Sequence, residues 1–373
     1  MKNYSLLNRI SQNRLFLPLG ALVLILVFDA IYAPGFFKLG VMQDADWGPH
    51  LYGNLIDVLN DAAPLALIAI GMTLVIATGG IDLSVGAVIA ISGAMGAVLI
   101  NPALGNQLRL NVEAARNATN TPLPIIVLAG LAAGTVCGLW NGFLVTKARI
   151  PPIIATLVLM VGGRGLAQLI TNGQIMTIYY TPYFWFGNGF IFGIPVSIYI
   201  VLAVALLAWV VVRKTSIGLF LESVGINAKA SYYSGINEQN VKLFAYALCG
   251  FCGAIAGLIL SSYVHSEDAN NIGLYYELDA ILAVVMGGTS LAGGRFSIFA
   301  SVVGAIVIWT FTLTVYTLGV PANALLAAKA VLVMLVILLY SEYFRRFMNR
   351  FSESKVPQYD IAEQKGTQHG TAN

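Results

Sequence analysis

The stretch from Ala63 to Ile100, APLALIAIGMTLVIATGGIDLSVGAVIAISGAMGAVLI, is two long apolar runs interrupted only by Thr78-Gly79-Gly80-Ile81-Asp82-Leu83-Ser84. At about 1.5 Å per helical residue, each run reads as a crossing of a hydrocarbon core roughly 30 Å thick. The interruption is no ordinary loop: it is short, holds two adjacent glycines and one carboxylate, and has no run of solvating charge. Lipid supplies no hydrogen-bond partner, so backbone that leaves helical geometry near a bilayer has to be covered by protein or face a water-filled cavity. Gly79, Gly80, Asp82 and Ser84 therefore read as a packed or pore-facing elbow, with the Asp82 carboxylate near the first-turn N–H groups of the helix that follows. A weaker echo, centred on Gly287 and Gly288, runs from Met286 to Arg295 as MGGTSLAGGR, again between apolar runs. Broken helices in two halves of a membrane chain point to a transporter.

Composition agrees with this reading. Of 373 residues, 58% are hydrophobic and only 10% are charged, too little charge to cover the surface of a soluble protein of this length. The chain reads as an all-α polytopic membrane protein with about ten transmembrane helices. Its net charge of +3 is spread over short loops, not gathered into the stripe that nucleic acid requires. Cys137, Cys249 and Cys252 fall in apolar runs and read as small packing residues. Cys249 and Cys252 form a C-x-x-C, but no second ligand pair accompanies it, and no metal site is expected.

Spans are expected at Leu15–Tyr32, on both sides of the elbow, and then at Leu123–Val145, Pro151–Thr171, Ile194–Val212 and Leu243–Ser262. A short, half-helical or tilted span at Leu278–Leu291 opens the second broken element, Asp279 to Gly294, and Phe296–Leu318 and Ala322–Tyr340 complete the set. The loop from Ala33 to Asp61, rich in aspartate, and the Asn-rich connection from Asn101 to Pro122 belong outside. The uncharged aromatic stretch from Asn172 to Gly193 suits the outer membrane boundary. Of the twenty Lys and Arg, this layout places fifteen inside, three outside and two, Arg164 and Lys329, within spans, the bias that orients helical membrane proteins. Both termini then face the cytoplasm. Residues 1–14 form a cytoplasmic N-terminus, 15–340 the transmembrane domain with a cytoplasmic segment at 213–242, and 341–373 a polar tail that is disordered on composition.

The segment from Thr215 to Val241 is too apolar for a solvated loop. Leu219, Leu221, Val224 and Ile226 give it a side to bury, and Gly225 and Gly235 allow sharp turns between short helices. It suits either docking into a groove on a partner protein or simply joining two spans along the membrane surface. Arg164, in the tetrapeptide GGRG, puts a cation inside a span, which costs ~2.5–3.5 kcal/mol at a helix centre on insertion scales and demands a partner. A structural ion pair, a cap on backbone carbonyls and contact with substrate would each supply one.

Gln168, Asn172 and Gln174 at the end of the fifth span, and Asn270, Asn271, Glu277 and Asp279 leading into the eighth, are candidates for a substrate path. Amides and carboxylates bond hydroxyl-rich solutes without demanding a counter-charge; helix capping and loop order are the plain alternatives. The motif G-x-x-x-x-G-K-S/T is absent, so the chain carries no such cradle for nucleotide phosphates. Asp29, Asp82 and Asp279 lie near span ends and form no evident proton relay. A driven process then draws its energy from a separate subunit; an ion-coupled carrier and a structural membrane protein are the competing classes.

Three motifs, AIGMTLVIATGGIDLSVGAV at Ala69–Val88, IPPIIATLVLMVGGRGLAQLITNGQ at Ile150–Gln174 and YELDAILAVVMGGTSLAGGRFS at Tyr276–Ser297, closely resemble the ribose-type monosaccharide ABC importer permeases. The resemblance extends from the first span to the tenth, and Asp268 to Gly288 is most similar to the permeases of galactofuranose importers. It implies a bacterial inner-membrane pore of two permease chains, identical or homologous, with a periplasmic sugar-binding protein outside and a sugar-type ATPase inside, and no cofactor in this chain because ATP is hydrolysed by the partner. It further implies that Gly225 to Ile236, GINAKASYYSGI, docks on that ATPase through Gly225, Asn227, Ala230, Ser234, Gly235 and Ile236. The family usually shows paired alanines before SGI where this chain has Ala230-Ser231.

Overall fold

In the computed structural model, residues 15–33, 35–44, 47–100, 119 and 121–340 are described. The connection at 101–118, the N-terminal 1–14 and the tail 341–373 lie outside the described residues, and so do the expectations that fall on them. The decisive stretch forms α2 (Asn54–Ala77) and α3 (Val85–Ile100) on either side of the elbow. Every residue of α2 from Ala62 to Ala77 is buried. This helix is apolar on all sides, as a helix enclosed by other helices has to be. It begins about nine residues earlier than its apolar run, because Asn54, Asp57 and Asn60 occupy its first turns. Pro64 removes one intrahelical N–H, a break that membrane helices accept where neighbours supply bonds.

Around α2 stand α10 (Glu238–Val264), α12 (Ile298–Thr317), α7 (Val196–Lys214) and α11 (Tyr276–Met286). A second layer contains α1 (Phe16–Tyr32), α4 (Leu123–Thr146) and α5 (Pro152–Ile170). The two layers differ in burial: 83% of the apolar window of α2 is buried against 22% for α4 and 28% for α5. The outward faces of α4 and α5, with Leu128, Val136, Val158 and Val161, are apolar and exposed, as lipid-facing surfaces are. Six described helices are both long and apolar enough to cross a membrane, and α1, α3 and the shorter α8 (Ile217–Ile226) are apolar as well. α1 is tied to the bundle by its buried Asp29, which accepts a hydrogen bond from the Thr314 hydroxyl at 2.9 Å.

The closest helix pair, α4 with α10, follows from residue size. Gly130, Gly134, Gly138 and Gly142 form the buried stripe of α4, and they lie against Leu258, Ala254, Gly250 and Leu243 in turn. Without side chains on that stripe the two backbones approach closely enough for dispersion contacts that lipid cannot replace. Cys249 and Cys252 are free and buried on α10, packing residues as their apolar setting suggests.

Several expectations change. The chain is not purely helical: β1 (Gly40–Asp44) pairs with β2 (Gly48–Tyr52) in a hairpin inside what reads from sequence as a solvated loop. Two separate two-residue ladders also form, β3 (Met176–Thr177) with β6 (Ser266–Glu267), and β4 (Phe190–Ile191) with β5 (Ile194–Pro195). Between β3 and β4 in the chain lies α6 (Thr181–Asn188), whose Tyr183 is buried in an apolar cluster with Ala97, Ile126 and Leu258. The eighth span is shorter than Leu278–Leu291. α11 stops at Met286 after 11 residues, a rise of about 16 Å and so half a hydrocarbon core. The chain divides after Pro321, and the second unit contains one described helix, α13 (Ala322–Tyr340).

The glycine stripe makes a direct prediction. A Cβ on Gly138 would overlap the Tyr246 carbonyl, whereas one on Gly162 meets nothing within 4 Å. Gly138→Ala is expected to destabilise the detergent-solubilised chain by about 1–3 kcal/mol, and Gly162→Ala to stabilise it by up to ~1 kcal/mol, as read by thermal unfolding monitored by size-exclusion chromatography.

Candidate functional site

The ends of α2, α4 and α7 and the starts of α5 and α10 share one end of the bundle: the Lys147 ammonium reaches Gln239 at 2.8 Å, and the Thr156 hydroxyl accepts from the Leu83 N–H at 3.1 Å. At this elbow end three stretches of backbone meet with no side chain between them. Gly79 turns the chain out of α2 with a left-handed φ of 78°. The Gly294 N–H donates to the Ala77 carbonyl at 2.9 Å. A Cβ on Gly225, in the last turn of α8, would overlap that same carbonyl and lie 2.5 Å from Gly294 N. One on Gly293 would lie 2.9 Å from the Gly225 carbonyl oxygen and 3.0 Å from Gly79 N. The two broken elements, far apart in sequence, thus touch each other and the end of α8. Gly287 packs on Ser301 of α12, and Gly288 turns with a left-handed φ of 74°.

The first elbow is packed by protein. Asp82 and Ser84 are buried; one Asp82 oxygen accepts from the Ser84 N–H at 2.9 Å and its hydroxyl at 2.7 Å. The Asn141 amide of α4 donates to Asp82 at 3.3 Å and to the Ser84 oxygen at 2.7 Å. Gly80 leaves room for Tyr246, whose hydroxyl would sit 2.6 Å from a Cβ there. Sequence reasoning found Asp82 and Ser84 but missed Asn141, Thr156 and Tyr246. A lone amide in the apolar run GLWNGF was a usable signal for Asn141; Thr156 and Tyr246 gave none.

Away from the elbow, the segment between α10 and α11 is the second irregular region. It starts at left-handed His265 and ends at left-handed Tyr275. His265 stacks on Phe184 with ring centroids 3.7 Å apart and bonds to Asn188 at 2.6 Å. Burial lowers the pKa of His265, which keeps the ring neutral at pH 7. Further along, Arg164 of α5 donates through Nη1 to the carbonyls of Ala269, Asn270 and Ile272 at 3.2, 3.3 and 2.6 Å. Glu277, Glu267 and Asp268 lie within its electrostatic reach. Of the roles open to the intraspan cation, capping backbone carbonyls is the one this geometry displays. It resolves two problems together, since the guanidinium gains partners and the irregular backbone gains donors.

The path candidates separate into groups. Half-buried Gln168 is hydrogen-bonded to exposed Asn270, and the exposed Asn271 amide donates to Asp268 at 2.6 Å in the same turn. Asn172 and Gln174 are exposed in the turn that ends α5, where left-handed Asn172 is followed by a Gly173 N–H bonded to the Gln168 carbonyl at 2.7 Å. Glu277 does not join the exposed amides: it is buried in the first turn of α11 against Gly86. Asp279 is half-buried in the same turn. Two carboxylates there complement the positive end of the half-helix. Glu267, placed in an outer loop by its sequence, is fully buried against Gly93 with neither oxygen hydrogen-bonded.

The segment at 213–242 folds as α8 followed by α9 (Ala228–Tyr233). Leu221 and Val224 are buried, but Leu219 is 65% and Ile226 71% exposed, so only half of the expected apolar side faces inward. The Asn227 side chain caps α9 by accepting from the Ala230 N–H at 3.0 Å. α9 ends through Ser234 at Gly235, whose φ is 85°, and the Ile236 N–H returns to the Ser231 carbonyl at 3.0 Å. Tyr232 and Tyr233 are exposed, edge to face at 5.9 Å.

Buried broken helices, a half-helix and an irregular segment pinned by an internal cation define a multi-span membrane transport protein. Residues 54–340 match the family described as the branched-chain amino acid transport system / permease component, and the chain belongs to that permease family. It is 46% identical to a galactofuranose transporter permease of Escherichia coli strain K12, over 87% of this chain and 89% of that one. A fructose import permease of Bifidobacterium longum is 39% identical over 85% of this chain and 84% of its own length. The ribose import permease of E. coli K12 is 34% identical over 85% and 91%. No solved structure matches the chain.

Removing the Arg164 fork leaves three carbonyls without their donor. Arg164→Met is expected to destabilise the chain by about 3 kcal/mol, and Arg164→Lys to restore only part of that, because an ammonium is more strongly hydrated than a guanidinium and costs more to bury. Thermal unfolding of the three proteins in one detergent checks the order.

Proposed function

We propose that this chain is the translocation subunit of an ATP-driven importer that carries a monosaccharide, galactofuranose or a similar sugar, across the bacterial inner membrane. In this reading about ten spans, with residues 15–340 as the permease domain, hold both termini, 1–14 and 341–373, in the cytoplasm. Two permease chains enclose the pore, sugar-type ATPase subunits dock on Gly225 to Ile236, and a periplasmic binding protein delivers the sugar. The observation that carries it is the contact of α8, at the base of an exposed amphipathic docking segment, with both broken elements.

The face around Gln168 and the exposed Asn270 and Asn271 supports an uncharged, hydroxyl-rich cargo. Its side chains offer donors and acceptors, while Arg164 is turned to backbone carbonyls, Glu277 is buried against Gly86 and Asp268 is held by the Asn271 amide. Few fixed groups line that face, which suits a passage that releases what it accepts, with selectivity residing in the external receptor. The relatives are a galactofuranose transporter permease and import permeases for fructose and ribose, and the charge bias of the loops supports the orientation.

Reconstituted alone in liposomes, the chain is expected to move none of radiolabelled galactose, ribose or fructose against a gradient, and to do so only with its ATPase, its receptor and ATP. Accumulation by the chain alone under an ion gradient would replace this reading with a secondary carrier. Gly235→Val, which strains a left-handed turn by about 1–2 kcal/mol on an exposed surface, is expected to leave membrane insertion intact and abolish stimulation of the ATPase. Wild-type stimulation in that variant would remove the docking assignment.

A further inference from the structure

Resting on the docking role just proposed, the geometry points to Gly225 as the joint through which movement of the docking segment reaches both broken elements at once. The short helix α9 packs chiefly on α8 and α10, and its outward residues Lys229, Tyr232 and Tyr233 are exposed. A partner that displaces α9 therefore acts through Asn227 on α8. α8 in turn is anchored by the buried Leu221 and Val224 and packs on α2 and α10, so a displacement of its end carries the helix as a short rigid lever.

At the tip of that lever the contact is backbone on backbone. The Gly225 Cα lies against the Ala77 carbonyl, and the Gly225 carbonyl faces Gly293, which itself abuts Gly79. Side chains absorb small displacements by changing rotamer, whereas two backbones in direct contact have no such freedom, so a shift is transmitted and not damped. The hydrogen bond from Gly294 to Ala77 ties the two elbows together. A push arriving at Gly225 therefore moves the end of the most buried helix, α2, and the link between α11 and α12 as one body. Gly225 is a positioning residue, since it touches neither nucleotide nor sugar.

The test uses the complete importer, with ATPase and receptor, in proteoliposomes. With import normalised to the ATP hydrolysed by the ATPase that copurifies, Gly225→Ala is expected to lower sugar imported per ATP by about tenfold, the size of a typical coupling between sites. Spin labels at Tyr233→Cys and, separately, at the exposed Leu291→Cys separate transmission from mere packing. In the wild-type background both are expected to shift when nucleotide binds; with Gly225→Ala only the label at 233 is expected to do so. Should Gly225→Ala not fold, Asn227→Gly softens the exposed junction between α8 and α9 without touching the packed glycines, and the label at 291 is then expected to lose most of its shift.

Unchanged import per ATP in Gly225→Ala, or a nucleotide-dependent shift at 291 that survives in the variants, overturns the joint while leaving the importer reading in place. Absence of ATP-dependent uptake by the wild-type assembly across radiolabelled galactose, ribose and fructose defeats the importer reading itself, and the joint with it.

Discussion

The structure depends on one constraint: backbone that leaves a helix inside a membrane has to find its hydrogen-bond partners within the protein. Each unpaired amide or carbonyl in hydrocarbon costs several kcal/mol. The chain meets the demand in three ways. At the first elbow, Asp82 accepts from the Ser84 N–H, and the Asn141 amide donates to both Asp82 and Ser84. At the second, the Gly294 N–H bonds directly to the end of α2. In the segment before α11, a single guanidinium serves three carbonyls.

Those solutions also turn the intraspan cation inward: Arg164 points to backbone carbonyls and Glu277 is buried against Gly86, while between α5 and α11 the amides of Asn270 and Asn271 are exposed and Asp268 is held by Asn271. A neutral sugar can exchange hydrogen bonds with such groups without leaving a buried charge unpaired. The same irregular segments are where a transport protein has freedom to move, because a helix broken by packed glycines can pivot where a continuous one would bend as a whole. Closing the elbows against each other and against α8 joins that freedom to the face of the protein where α9 projects.

Much of this was readable in the chain. Two adjacent glycines with a lone carboxylate inside an apolar stretch predict the first elbow, and the structure places Asp82 and Ser84 in a buried turn. GGRG predicts a cation needing partners, and three carbonyls supply them. The hairpin at β1 and β2 was hidden because its aspartates and glycines read as solvated loop, and strand propensity depends on what the strand packs against. That Tyr183 is buried was not legible, because aromatics in an uncharged stretch fit a membrane boundary and a core equally well. Leu219 and Ile226 were assigned to a buried side by periodicity alone, which reports which residues share a helix face and not whether anything covers it.

By itself the sequence determined that this is a helical membrane protein, where its helices break, and which polar residues a bilayer would not accept without partners. Those follow from local hydrophobicity and backbone chemistry, which act over a few turns of chain. Only the tertiary structure decided that the two breaks meet, that α8 ends between them, and that Asn141 and Glu267 are buried while Gln168 and Asn270 are bonded to each other. Such contacts join residues tens to hundreds of positions apart, and they are chosen by the packing of whole helices, in which small residues let backbones approach and a buried amide such as Asn141 finds its partners on another element.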